Sequence, residues 1–272
     1  DMSRIPFPYK HMDIKDLEHR IIYYESSRGC PFSCAYCLSS VEKGLRFRSL
    51  SKVLEELDYF LEQKVPQVKF IDRTFNCKKS HAMAIWNHIL EKDRGITNFH
   101  FEIAADLLDE EELELLGQMR PGLVQLEIGV QSTNPETLKA IHRPTDLKKI
   151  GCTTARINEG KNIHQHLDLI AGLPFEDFAS FQNSFNQVYA MRPEQLQLGF
   201  LKVLNGSPME AMANGYGIVS SPNPPYGAVY PMAVLQRSAG LKRGGRDGGD
   251  PLQQPPVRDG DEPDGAGICL PL

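Results

Sequence analysis

From residue 20 to about 203 the chain alternates between two textures, and this rhythm constrains its fold more than any other feature. RIIYYESS (20–27), QVKFID (67–72), NFHFEIAAD (98–106), GLVQLEIGVQ (122–131), IHQHLDLIAGLP (163–174) and QLQLGFLKV (195–203) are β-branched, aromatic or alternating, and read as strands. Between them lie segments with apolar residues at helical spacing: 50–64, 81–93, 109–119, 134–142 with 147–161, and 178–191. Asp109 opens an acidic first turn, and Asn134 precedes a proline at the first helical position. Six strand–helix alternations imply a parallel sheet, and right-handed crossovers curl such a sheet into a barrel or part of one. The fold class expected is α/β, a partial (β/α)6 TIM-like barrel. Ser27, Asp72, Asp106, Gln131, Gly172 and Lys202 end the strands, so the face they share is where a site is expected.

That face receives the loop after the first strand, and the loop carries ESSRGCPFSCAYCLSS (25–40), with Cys30, Cys34 and Cys37 spaced C-x3-C-x2-C. Three thiols suit neither a disulfide framework nor a four-ligand zinc site. Cys77 or a histidine as fourth ligand would complete a zinc site, so spacing alone leaves that reading open. Three thiolates can instead hold three irons of a [4Fe–4S] cube and leave the fourth iron open to a ligand.

The motif C-P-F-S-C-A-Y-C, with Tyr36 before the last cysteine, resembles the radical S-adenosylmethionine (radical SAM) superfamily, and the resemblance extends over about residues 20–203. It implies a [4Fe–4S] cluster on Cys30, Cys34 and Cys37, and SAM chelated by its amino and carboxyl groups to the open iron. It further implies one-electron cleavage of the C5′–S bond, giving a 5′-deoxyadenosyl radical that takes hydrogen from a substrate. An electron donor such as flavodoxin or ferredoxin, a substrate the sequence does not name and a cytoplasmic location follow from the same likeness. Together HRIIYYESSRGCPFSCAYCLSS, VKFIDRTFNC, QLEIGVQSTN, NIHQHLDLIAGLP and QLQLGFLKVL resemble the bacterial cobalamin-binding-domain radical SAM proteins with an uncharacterised C-terminal domain. Cobalamin, and methyl or methylthio transfer, are thereby implied for a longer parent protein only.

The resemblance also nominates cofactor contacts. Where the family often has Gly-Gly-Glu after the second strand, this chain has IDRTFN (71–76), with Asp72 as the acceptor for an ammonium. Glu102, Glu127 and Gln131 are expected near the cofactor ribose, and Gly172 where backbone approaches the adenine. Strand alternation puts Glu127, Gly129 and Gln131 on one side, expected to face inward, where a carboxylate needs a partner or a ligand. His164, His166 and Asp168 share a face of the fifth strand, and the two histidines read as a satisfied buried pair, as substrate contacts or as metal ligands. Arg46 and Arg48 read as carboxylate binders or solvated charges, Cys77 as a small apolar residue or a second thiol, while Cys152 and Cys269 receive no role.

Composition bounds the rest. A net charge of −5 gives no general reason to bind nucleic acid, and no apolar run reaches the roughly 18 residues of a membrane span. Residues 1–19 read as a linker from a preceding domain, 20–204 as the core and 205–226 as a connector. Residues 227–272 hold 9 Gly and 6 Pro without period and read as a disordered tail. A frame shifted by one base can be written to carry helical periodicity there, so a frameshifted translation is a further expectation. The reading set against the enzyme is a non-catalytic iron–sulfur or zinc-stabilised module, or an inactive fragment.

Overall fold

The computed structural model describes residues 2–12, 20–42, 44–221, 223–224 and 226–229. The strands are β1 Ile22–Tyr24, β2 Ser27–Arg28, β3 Arg46–Phe47, β4 Gln67–Phe70, β5 Asn98–Ile103, β6 Val124–Gln131, β7 His164–Ala171, β8 Gln195–Phe200, β9 Val219–Ser220 and β10 Ala228–Val229. The helices are α1 Leu50–Glu62, α2 Lys79–Lys92, α3 Glu110–Gly117, α4 Pro135–Ala140, α5 Leu147–Gly160, α6 Phe178–Ala190 and α7 Pro208–Met212. Six strands form one parallel sheet in the order β1-β4-β5-β6-β7-β8, and β8 does not return to pair with β1. The expected partial (β/α)6 barrel is therefore present. The short hairpins β2–β3 and β9–β10 stand apart from it.

Alternation divides the sheet into two chemistries. Val68, Phe70, Phe99, Phe101, Val124, Leu126, Leu167 and Leu169 point one way and are buried under α1, α2, α3, α5 and α6. Phe70, Phe75 and Trp86 cluster around Phe101, with the Phe75 and Phe101 ring centroids 4.3 Å apart. The neighbouring positions, Lys69, His100, Glu102, Gln125, Glu127, His166 and Asp168, line the inner face. Helix starts are set locally: Asp109 and Glu112 form a capping box on α3, and Asn134, Asp146 and Asp177 cap α4, α5 and α6.

The described part of the stretch expected to be a linker, residues 2–12, packs on α1. Phe7 packs edge-on against Tyr59 and Phe60, with centroids 5.5 and 5.3 Å away, and Lys52 Nζ donates to the Ser3 carbonyl. The apolar rings in that stretch, Phe7 and Tyr9, draw it onto α1 rather than into solvent. Of the tail read as frameshifted, residues 230–272 lie outside the described residues. Among the described residues no helix is long and apolar enough to cross a membrane.

Candidate functional site

The cysteines sit on a loop with a tied neck and a tied tip. At the neck, Ser27 and Arg28 pair antiparallel with Phe47 and Arg46. Gly29 turns there at φ +99°, and a Cβ on it would fall 2.3 Å from the Gly44 carbonyl oxygen, so only glycine lets the two arms close. At the tip, Ala35 N donates to the Ile141 carbonyl (2.8 Å), and the Ala35 carbonyl accepts from Met209 N (2.8 Å). Ser40 Oγ donates to the Cys37 carbonyl at 2.6 Å. Cys30, Cys34 and Cys37 are free thiols lining one cleft of ≈ 180 Å³ with Phe32, Tyr36, Arg73, Thr74, Glu102, Glu127, Gly129, Gln131, Arg143 and Asp168. Cys30 Sγ lies 3.5 Å from Thr74 Oγ1.

The opposite wall is built by an irregularity in β6. The register against β7 shifts between Gly129 and Gln131, and Gln131 takes φ +73°, an uncommon conformation for a residue with a side chain. Its amide folds back over Gly129, where a Cβ would meet Gln131 Nε2 at 2.3 Å. Gln131 Oε1 is buried without a hydrogen-bond partner among the described residues. Arg143 completes the wall: Nη1 donates to Tyr36 OH at 3.1 Å and to Cys34 Sγ at 3.6 Å, and Nη2 donates to the Gly129 carbonyl. Burial pushes the Tyr36 phenol upward. Sequence reasoning missed Arg143. Its signal was the Arg-Pro step that ends the α4 segment, since the residue before proline leaves the helical conformation and turns its side chain elsewhere.

The floor is a mixed-charge row. Glu127 Oε2 lies 2.9 Å from both Lys69 Nζ and His100 Nε2, and contact with His100 and Lys69 holds its carboxyl down at about 2. Glu102 is 3.9 Å from Lys69; burial and the nearby Glu127 raise its pKa. Asp168 faces His166, with 3.1 Å between Oδ1 and Nε2, and burial and Glu127 push its carboxyl up to about 7.

The structure brings Cys30, Cys34, Cys37, Glu102, Glu127 and Gln131 into one cleft. Two nominated contacts stand outside the residues that line it. Asp72 is fully buried, and its oxygens accept from Ser26 N (2.9 Å), Ser26 Oγ (2.7 Å) and Ser27 Oγ (2.5 Å), which leaves it committed to the loop neck rather than to an ammonium. Gly172 turns the chain at φ +90° just after β7. Arg48 forms a buried ion pair with Glu56, and Arg46 pairs with Glu42, so neither reaches the cleft. Cys77 is half-buried, and burial pushes its thiol up to about 11. His164 Nε2 is buried without a hydrogen-bond partner among the described residues.

The donor set fits a cluster: three free thiols from one loop open onto the same cleft. A cube takes each thiolate on a different iron, and the unpartnered Gln131 oxygen and the Arg143 fork lie on the same cleft.

The chain is 26% identical over 219 residues to 2-(S-pantetheinyl)-carbapenam-3-carboxylate methyltransferase of Streptantibioticus cattleyicolor, covering 73% of this chain and 30% of that protein. It is 26% identical to the cobalamin-dependent radical SAM methyltransferase TokK of Streptomyces tokunonensis, covering 75% of this chain and 31% of the relative. It thus spans about a third of the length of these curated relatives. The structure of the radical S-adenosylmethionine methyltransferase TsrM of Kitasatospora setae, with cobalamin and a [4Fe–4S] cluster bound, superposes with a TM-score of 0.67 at 17% identity, over 85% of this chain and 47% of that one. Residues 24–188, more than half of the chain, match the family described as Radical SAM superfamily. The chain therefore belongs to the radical SAM superfamily, whose cofactors are a [4Fe–4S] cluster and S-adenosylmethionine.

Proposed function

We propose that this chain is the catalytic core of a radical SAM enzyme, with Cys30, Cys34 and Cys37 holding the cluster. The observation that carries the reading is the opening of three free thiols onto one cleft whose other wall carries an orphaned amide oxygen and a buried guanidinium. When bound, the reduced cluster and SAM supply homolytic cleavage of the C5′–S bond and so a 5′-deoxyadenosyl radical.

The protein's own residues do the positioning. The two anchors of the loop fix where the thiolates point. Among the described residues Arg143 has Cys34 Sγ, Tyr36 OH and a backbone carbonyl as partners but no carboxylate, so it favours an anionic group in the cleft. Gln131 presents its free acceptor toward hydroxyl or amine donors, and Glu102, Glu127 and Asp168 add carboxyls on the same side. Thr74 touches Cys30 and shields it. Methyl or methylthio transfer in a longer parent protein, with cobalamin on a separate domain, is the reaction that the names of the relatives support. The reductant proposed is a small electron carrier of the flavodoxin or ferredoxin kind, and the location proposed is the cytoplasm, a reducing compartment that suits a thiolate-held cluster.

The test is anaerobic reconstitution with iron and sulfide. The chain should take up about four irons, change its reduced EPR signal on addition of SAM, and release 5′-deoxyadenosine with dithionite. Cys34→Ala should lose all three properties; a variant that kept them would sink the assignment.

A further inference from the structure

We propose that Asp72 is a positioning residue for the cysteine loop: a buried carboxylate that grips the loop neck and sets Cys30 against Thr74. The inference rests on the cluster reading for its purpose, but its geometry stands without it.

Asp72 lies two residues past β4 and is fully buried, as is Ser26. All three hydrogen bonds to its carboxylate come from the neck: the Ser26 amide, the Ser26 hydroxyl and the Ser27 hydroxyl. Among the described residues no basic side chain pairs with it and burial raises its pKa, so the buried carboxyl depends on short polar donors, which makes each of them costly to lose. The neck is fixed on its far side by Arg48 N, which donates to the Ser26 carbonyl at 2.9 Å. Two residues beyond Asp72, Thr74 Oγ1 lies 3.5 Å from Cys30 Sγ. One carboxylate therefore locks the register between the start of the cysteine loop and the exit of β4, and Cys30, three residues past Ser27, is the thiol nearest that lock in the chain. Cys34 and Cys37 follow the tip instead, through Ala35 and its partners Ile141 and Met209.

His81 belongs to the same knot. Its Nε2 lies 3.1 Å from Ser26 Oγ, and burial lowers its pKa to about 4. Ser, His and Asp are the residue types of a hydrolytic triad, but the arrangement is not one. Here the carboxylate and the imidazole both meet the hydroxyl, whereas a triad sets the carboxylate on the imidazole. A fully buried Ser26 also gives no substrate access. The knot is a clamp.

The variant to make is Asp72→Asn in the full 272-residue chain. Asparagine keeps the volume and one acceptor for the Ser26 amide, and both serine hydroxyls can turn to accept from its NH2. Only the charge-assisted grip is weakened. In the metal-free, reduced chain, the rate of iodoacetamide alkylation at each cysteine is read by mass spectrometry. Cys30 should react roughly tenfold faster in the variant, the factor that corresponds to losing about one charge-assisted hydrogen bond. Cys34, anchored at the tip, should change by less than about twofold by the additivity of separated sites. Ser27→Ala should move Cys30 in the same direction by less, and it decides the matter if Asp72→Asn does not fold. After reconstitution, the reduced cluster of Asp72→Asn should show an altered EPR line shape. Equal acceleration of Cys30 and Cys34 would mean that Asp72 serves only general stability, and an unchanged Cys30 rate would mean that it holds nothing; either overturns the proposal. If the wild-type chain takes up no cluster, the functional reading fails while the alkylation ratio still judges the clamp.

Discussion

Asp168 is a carboxyl placed where charge is hard to keep. Its pKa stands near 7 against an ordinary 3.8, because burial and the neighbouring Glu127 both oppose ionisation. The sign of the linkage follows. A folded pKa above the unfolded one means that the penalty is absent below about pH 3.8 and grows as pH rises through about 7. Asp168→Asn should therefore melt at a higher temperature than the wild type at pH 8, with the gap closing toward pH 4; differential scanning calorimetry across that range reads it directly. Local sequence made the cysteines legible, since three of them stand within eight positions. It could not reveal Arg143, which meets Cys34 across 109 residues, nor that Asp72 would be consumed by two serines 45 and 46 residues before it. Those pairings depend on which strand ends become neighbours.

At the scale of elements, the loop from 29 to 45 behaves as a bead on a closed neck. Gly29 is the closure, because its positive φ and its approach to the Gly44 carbonyl both exclude a side chain. Gly29→Ala should leave the sheet and helices intact by circular dichroism yet reduce iron uptake severalfold. The strain of a left-handed alanine, of order 1 kcal/mol, adds to the 2.3 Å clash. Full iron content in that variant would show that the neck need not close. Helix and strand identities were readable because each carries a strong period and a cap, as α3 does with Asp109 and Glu112. The break in β6 was not readable. Strict alternation puts Glu127, Gly129 and Gln131 on one side, whereas the chain reaches that arrangement through a register shift and a left-handed glutamine, and VQLEIGVQ contains nothing that announces either.

Across the whole molecule, the sheet separates what holds it together from what it works with. Helices seal one face with Phe70, Phe101, Leu126 and their neighbours, while the open, unclosed curve leaves polar groups on the other. Substitutions along β6 should show the split. Val124, Leu126 and Ile128 to Ala should each cost about 2–4 kcal/mol in chemical denaturation, and Gln125→Ala much less. Equal costs on both faces would contradict it.

That separation also bears on how such a chain can change over time. Along an inner strand one position packs against the helices and the next faces the cleft, so a lineage can rewrite the cleft side, with Lys69, His100 and Glu127 changing as a linked set, without disturbing the layer beneath. One architecture can then be retuned while it stays folded.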